Sequence, residues 1–268
     1  MQRGLRMIGY VILGLLLIYG GLIALVYLNQ HRLIYAPPVA RGDIPAGFGR
    51  VTYATPDRLE LAAGYRPARE GMPTLLFFHG NAASWQSSTM VTARLAEQGY
   101  GILAAEYRGY SGNPGTPSEI GLYEDARGAW RFLREDQGLA ENDIVLVGNS
   151  VGAGVATQLA TEVRARALVL ISPFDSLEET AARKLRWLPV RLLLSDRFAN
   201  DQKLPEIGEP ILILHGEEDS LIALEQAQAL ASVRDDTVIQ TYPGWGHDLV
   251  VHEPVQDRIA AFLEQPQN

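Results

Sequence analysis

The stretch Ile144-Val-Leu-Val-Gly148-Asn-Ser150-Val-Gly152-Ala-Gly-Val-Ala-Thr157 changes character in its middle. Its first four residues form an unbroken apolar run, which is typical of a strand buried in a parallel sheet. The small and apolar residues after Gly152 predict a helix. A serine in the pattern Gly-x-Ser-x-Gly at such a turn is raised above the edge of the sheet. The stretch therefore indicates that Ser150 is a nucleophile at a helix N-terminus, where the helix dipole favours negative charge.

A glycine-rich turn between a strand and a helix can also cradle a phosphate. A P-loop needs a lysine and then a serine or threonine directly after its second glycine, and none follows Gly152. A dinucleotide-binding turn needs the pattern Gly-x-Gly-x-x-Gly, and no third glycine follows Gly154 at that distance. The nucleophile interpretation is therefore favoured over phosphate binding.

The length and the composition limit the class of protein. The chain has 268 residues, enough for one large domain and an appendage, and a net charge of −8. Residues 1–44 hold four arginines and one aspartate, so the remainder is more acidic still and unsuited to binding nucleic acid. The chain has no cysteine, which excludes disulfides, thiolate metal sites and a cysteine nucleophile.

An uncharged apolar stretch, Met7–Leu28, lies near the N-terminus. About 20 residues suffice to cross the hydrocarbon core of a bilayer. A cleaved signal peptide would have a shorter apolar core that ends at a small-x-small cleavage site, and residues 26–30 offer no such site. We therefore expect a single-pass anchor over residues 1–30 and a connector over residues 31–44. Arg3 and Arg6 favour an N-terminus inside, with the domain on the translocated, periplasmic or extracytoplasmic, side.

Strands and helices alternate through residues 45–268. This rhythm predicts a mostly parallel sheet covered by helices on both faces. The alternation of strands and helices is interrupted between residues 172 and 209, which is typical of an insertion. Thr116 and Asp175 are the expected N-caps of two helices. The expected strands are Val51–Ala54, Leu59–Tyr65, Thr74–Phe78, Gly101–Ala105, Ile144–Val147, Ala167–Ile171, Pro210–Leu214 and Thr237–Tyr242.

A nucleophilic serine needs a histidine to take its proton. His247 lies in the small-residue loop Gly244-Trp-Gly-His-Asp248 after the last strand, where an imidazole can reach over the serine. His79 and His215 precede glycines at strand ends and are expected to brace turns, whereas His252 is expected at the surface. No His-Glu-x-x-His pattern is present, so we expect no metal site.

The histidine in turn needs a carboxylate, and two aspartates follow strands at the expected edge of the sheet. Asp219 follows the seventh strand, and Asp175 follows the sixth. Because Asp175 is explained as a helix cap paired with Glu178, we favour Asp219 as the acid.

Two backbone N–H groups are expected to bind the negative charge of the tetrahedral intermediate. One belongs to Val151, directly after the serine. The other is expected in the loop after the third strand, where Gly80 lets the backbone turn inward and Asn81 follows.

These motifs, taken in order, resemble those of the α/β-hydrolase superfamily over about residues 45–268. The nearest resemblance is to its small membrane-anchored serine hydrolases, which share the anchor and the connector. In this family an insertion such as residues 172–209 forms a small cap over the site. The motifs are His79-Gly-Asn81, Tyr107-Arg-Gly-Tyr110, Gly148-Asn-Ser150-Val-Gly152, Ser172-Pro-Phe-Asp-Ser176, Asp219 and Gly246-His247.

The resemblance implies an α/β-hydrolase fold without a cofactor and a serine hydrolase acting on a carboxylic ester, lipid esters included. Thioesterase, peptidase and acyltransferase activities use the same residues, and a catalytically silent, membrane-tethered binding module remains a further alternative. Every candidate catalytic residue lies beyond Pro37. A chain starting there is therefore expected to hydrolyse small esters about as well as the whole protein.

Overall fold

An eight-stranded sheet forms the centre of the computed structural model, which describes residues 2–38 and 44–265. The strand order is β1-β2-β4-β3-β5-β6-β7-β8, with antiparallel pairing of β1 with β2 and of β2 with β4, and parallel pairing elsewhere. The predicted mostly parallel sheet is thus confirmed. The strands are β1 (Gly49–Ala54), β2 (Glu60–Arg66), β3 (Thr74–Phe78), β4 (Gly101–Ala105), β5 (Ile144–Asn149), β6 (Ala167–Ile171), β7 (Ile211–Gly216) and β8 (Val238–Tyr242).

Helices connect the strands and precede the sheet. They are α1 (Gln2–Ile34), α2 (Trp85–Val91), α3 (Ala93–Gln98), α4 (Glu119–Arg131), α5 (Val151–Ala160), α6 (Leu177–Lys184), α7 (Val190–Leu193), α8 (Asn200–Lys203), α9 (Leu224–Ala231) and α10 (Glu253–Leu263).

The sheet is buried on both faces because its central strands are apolar at nearly every position. Leu76 and Phe78 of β3 pack into one core with α4, α5 and α9. Leu75 and Phe77, which point the other way, pack into a second core with α3 and α10. This sandwich holds the carboxyl ends of β3, β5, β7 and β8 at one edge, where the candidate residues follow.

Two helices begin at serines rather than at the predicted caps. Ser118 caps α4 by accepting a hydrogen bond from the N–H of Gly121, so the cap is not Thr116. Ser176 caps α6 in the same way, and Asp175 instead accepts a hydrogen bond from the N–H of Ser176. Both serines have the extended backbone that places the hydroxyl over the first turn.

The N-terminal helix is longer than the predicted anchor. It continues past residue 30 to Ile34, so that the connector begins at Tyr35, and residues 39–43 of the predicted connector lie outside the described residues. Within Leu5–Ile34, the most apolar 18-residue window has a mean hydropathy of 2.6 and is not buried against the domain. By length and composition, α1 can cross a membrane.

Candidate active site

The turn between β5 and α5 raises Ser150 above the sheet. Ser150 has φ 54° and ψ −116°, a strained combination for an L-residue. A side chain at Gly148 would collide with the backbone of Gly152, and one at Gly152 would collide with the carbonyl group of Phe78. The two glycines are therefore required by close approaches on either side of the serine.

Three residues from three loops meet at this turn. The hydroxyl oxygen of Ser150 lies 3.1 Å from Nε2 of His247. Nδ1 of His247 lies 2.8 Å from Oδ2 of Asp219. The structure thus brings together the serine, the histidine and the acid that the sequence predicts, although 97 positions separate the serine from the histidine.

Asp219 is held as an anion beneath the histidine. Burial alone would raise the pKa of Asp219, but hydrogen bonds from His247 and from the N–H groups of Ile222 and Leu221 outweigh it and lower this pKa. An ionised carboxylate only accepts hydrogen bonds, so Nδ1 of His247 must donate. In the neutral imidazole Nε2 then carries the lone pair, to which the hydroxyl of Ser150 can donate.

The loop that carries His247 is braced by stacked rings. Trp245 stacks on Tyr242 at 4.8 Å and on His252 at 4.2 Å between ring centroids. The carbonyl oxygen of Trp245 also accepts a hydrogen bond of 2.9 Å from the N–H of Glu218, which joins this loop to the loop of Asp219. His252, placed at the surface by the sequence, is half-buried and supports the loop.

The remaining aspartate and histidine candidates have other contacts. Asp175 lies 3.9 Å from Arg183, and no contact joins it to His247 among the described residues. His215 is buried and accordingly has a lowered pKa; its Nε2 lies 3.0 Å from the carbonyl oxygen of Ile222 in the loop of Asp219.

A buried contact between His79 and Glu106, which the sequence does not predict, supports the loop after β3. Nε2 of His79 lies 2.5 Å from Oε1 of Glu106, and both side chains are inaccessible to solvent. Nδ1 of His79 lies 2.7 Å from the carbonyl oxygen of Gly80. The only signal in the sequence is an acidic residue directly after the apolar strand β4.

Asn81 fastens the start of the domain to the site. Its side chain accepts hydrogen bonds from the N–H of Ala36 at 2.7 Å and the hydroxyl of Tyr110 at 2.9 Å, and it donates to the carbonyl oxygen of Ile34 at 2.6 Å. The backbone N–H groups of Asn81 and Val151 have no acceptor among the described residues. Both residues line the cavity beside Ser150.

Two cavities meet at Ser150 and Asn81. One, of about 290 Å³, is lined mainly by apolar side chains from α1 and from the insertion between β6 and β7. The other, of about 520 Å³, contains His247 and Asp248. No group of three or more His, Cys, Asp or Glu side chains able to hold a metal ion occurs in residues 2–38 and 44–265.

Comparisons with known proteins agree with this architecture. The model of the alpha/beta hydrolase family matches residues 75–200. An uncharacterized protein of Mycobacterium tuberculosis H37Rv, Rv2307c, is 34% identical over 260 residues, which cover 93% of this chain and 92% of that protein. The human alpha/beta hydrolase domain-containing protein 17B is 30% identical over 195 residues, which cover 72% of this chain and 66% of that protein.

Solved structures share the fold at lower identity. The esterase Pf2001 of Pyrococcus furiosus superposes with a TM-score of 0.71 at 21% identity, covering 86% of this chain and 97% of that one. An alpha-beta hydrolase of Vibrio vulnificus superposes with a TM-score of 0.68 at 24% identity, covering 81% of each chain.

Proposed function

The chain belongs to the α/β-hydrolase family, and on that premise we propose that it is a serine hydrolase that cleaves a carboxylic ester. One observation carries the proposal: the continuous chain of hydrogen-bond contacts from the hydroxyl of Ser150 through His247 to the carboxylate of Asp219. Such a chain removes the serine proton during attack and stabilises the imidazolium that results.

The proposed reaction has two halves. Oγ of Ser150 attacks the carbonyl carbon while its proton passes to Nε2 of His247, and the N–H groups of Asn81 and Val151 hold the oxyanion. The intermediate collapses, the bond to the alcohol oxygen breaks, and His247 gives its proton to the departing alcohol. Water then adds to the acyl-enzyme and its proton passes to His247. The bond to Oγ breaks, His247 returns the proton to Oγ, and the acid leaves with Ser150 restored.

The two cavities indicate how the ester is oriented. The departing alcohol must lie within reach of His247, which lines the larger cavity and not the smaller one. The acyl group therefore lies in the apolar cavity beside Ser150. Burial of hydrocarbon there favours esters with an apolar acyl group, lipid esters included.

We also propose that α1 is a single-pass anchor with the domain on the translocated side. Its length and hydropathy support a membrane span. Arg3 and Arg6 lie at the end expected to stay in the cytoplasm.

The experiment is labelling of the purified full chain with a fluorophosphonate, which reacts only with an activated serine hydroxyl. We expect Ser150→Ala to abolish labelling and to lower ester turnover by about 10⁴-fold or more, to the level left by binding and the oxyanion donors. Ser232→Ala, at an exposed serine far along the chain, serves as the matched control and should label like the wild type. Labelling that persists in Ser150→Ala would show that another residue is the nucleophile.

A further inference from the structure

The proposed anchor, α1, forms one wall of the cavity beside Ser150. The end of α1 faces the insertion across this space, and apolar side chains such as Leu188 and Leu194 form the opposite wall. The cavity therefore exists only where the helix and the insertion lie together. The residues of α1 that line it are Val26, Tyr27, Gln30, Leu33 and Ile34.

Polar contacts at its end hold α1 against the insertion. Oε1 of Gln30 accepts hydrogen bonds from the N–H of Ser195 at 2.9 Å and from its hydroxyl at 3.1 Å. The hydroxyl of Tyr35, just beyond the helix, donates to Oδ2 of Asp196 at 2.7 Å. Gln30, Tyr35 and Asp196 are all buried, so these contacts are shielded from water. The helix wall is thus fixed to the insertion.

The length of α1 places this wall at the surface of a bilayer. Leu5–Ile34 comprises 30 residues, or about 45 Å of helix, whereas the hydrocarbon core is about 30 Å thick. If the N-terminal two thirds span the core, Val26–Ile34 stands at its edge. The insertion also contacts α1 further toward its N-terminus, and thus deeper in the bilayer. There the hydroxyl of Tyr19 donates to the carbonyl oxygen of Trp187 at 2.7 Å. Trp187 is 52% exposed and Leu192 86% exposed, as suits contact with lipid at the interface.

We propose that the end of α1 and the insertion together form an acyl-chain pocket, which takes a fatty acyl chain from an ester embedded in the bilayer that α1 spans. This inference rests on the proposed function and specifies its substrate class. The fatty acyl chain enters the pocket at the bilayer surface, between α1 and the insertion. The carbonyl carbon of the ester then lies at Ser150, at the inner end of the pocket. The anchor is accordingly part of the substrate site and not only a tether.

The first test narrows the pocket from the helix side. In the full chain, Val26→Trp places a large ring against the cavity, whereas Leu25→Trp, one residue away and 60% exposed, points elsewhere and is the matched control. The measurement is kcat/KM on p-nitrophenyl esters from acetate to dodecanoate. In the wild type we expect a rise of about fourfold per added methylene until the pocket is full.

Val26→Trp should lower the ratio of dodecanoate to acetate turnover by tenfold or more, and Leu25→Trp should keep the wild-type ratio. An unchanged ratio in Val26→Trp, or an equal fall in both variants, would overturn the pocket. Leu194→Trp narrows the same cavity from the insertion and should reproduce the fall in the ratio, which covers the case that Val26→Trp does not fold.

A binding measurement separates this inference from the proposed chemistry. The full-length Ser150→Ala protein should bind a pyrene-labelled dodecanoate that unlabelled dodecanoate displaces, and the additional change Val26→Trp should weaken this binding by about tenfold or more. Val26-dependent binding in a protein whose wild type cleaves no ester would retain the pocket and refute the hydrolase. Ester cleavage without Val26-dependent binding would retain the hydrolase and refute the pocket.

The origin of the acyl chain is tested in vesicles of phosphatidylcholine. The reconstituted protein should hydrolyse 4-methylumbelliferyl oleate at least tenfold faster when the ester lies in the vesicles that contain the protein than when it is supplied in separate vesicles. Equal rates would overturn delivery through the bilayer.

Discussion

Asp219 illustrates how the surroundings of a single carboxylate set its role. Its side chain is inaccessible to solvent, yet the hydrogen bonds from His247 and two backbone N–H groups keep its pKa low. Asp175, at the end of the neighbouring strand, has a pKa that burial raises, and its hydrogen bond goes to the N–H of Ser176. Of the two carboxylates, Asp219 is the one that contacts His247, at 2.8 Å from its Nδ1.

We therefore expect Asp219→Asn to lower ester turnover by up to about 10⁴-fold, because an amide in this place favours the wrong tautomer of His247. Asp175→Asn is the matched control and should cost about 1 kcal/mol or less of unfolding free energy, since it only adjoins the cap of α6. The checks are steady-state kinetics and urea denaturation. A larger loss of turnover in Asp175→Asn than in Asp219→Asn would mean that the acid is misassigned.

Among the elements, the turn between β5 and α5 is closely packed on both sides of Ser150. The strained backbone of Ser150 costs on the order of 1–3 kcal/mol and persists because the strand and helix on either side are buried. Phe78 and His79, at the end of β3, approach so closely that only glycine fits at position 152.

Gly152→Ala should lower the unfolding free energy by about 1–3 kcal/mol and strongly reduce ester turnover, because the methyl group would push against backbone that cannot move aside. Gly208→Ala is the control, since no atom lies within 4 Å of its added methyl group. Thermal unfolding and turnover of both variants provide the check. A Gly152→Ala protein as stable and active as Gly208→Ala would contradict the observed turn.

At the scale of the whole molecule, α1 is joined to the catalytic domain by more than its chain connection. The ring of Tyr35 is 4% exposed, and burial together with Asp196 raises the pKa of its hydroxyl, which remains a donor. A chain that starts at Pro37 loses this ring and the helix wall of the cavity. The sequence-based expectation that such a chain keeps its full activity on small esters does not consider either loss.

A pair of truncations tests this connection. The full chain should remain with membranes after an alkaline carbonate wash, whereas chains starting at Ile23 and at Pro37 should be released, because neither keeps a spanning helix. The chain starting at Ile23 retains Gln30 and Tyr35 and should keep its stability. The chain starting at Pro37 should lose about 3–5 kcal/mol of unfolding free energy, the usual cost of deleting a buried aromatic side chain. Equal stability of the two chains, measured by urea denaturation, would indicate that α1 is only a tether.

The sequence alone determined the features that depend on short stretches of chain. Strand-length segments between turn and helix patterns, most of them apolar, predicted all eight strands. Glycines spaced around Ser150 predicted its turn, because the backbone geometry of a turn depends on the residues within it. The small-residue loop then favoured His247 among the histidines, and Asp219 was favoured because Asp175 was explained as a helix cap. The predicted caps were displaced by one or two residues, since neighbouring polar side chains compete for the same N–H groups.

Only the tertiary structure decided which distant surfaces share the site. Gln30 meets Ser195 and Tyr35 meets Asp196 across more than half of the chain, and these contacts depend on the angle at which α1 leaves the domain. The contact of His79 with Glu106 likewise requires β3 and β4 to lie side by side. No local pattern encodes such an angle or neighbour, because each arises from the packing of whole elements around a common core. For that physical reason an apolar stretch that reads as a membrane anchor also forms a wall of the cavity beside Ser150.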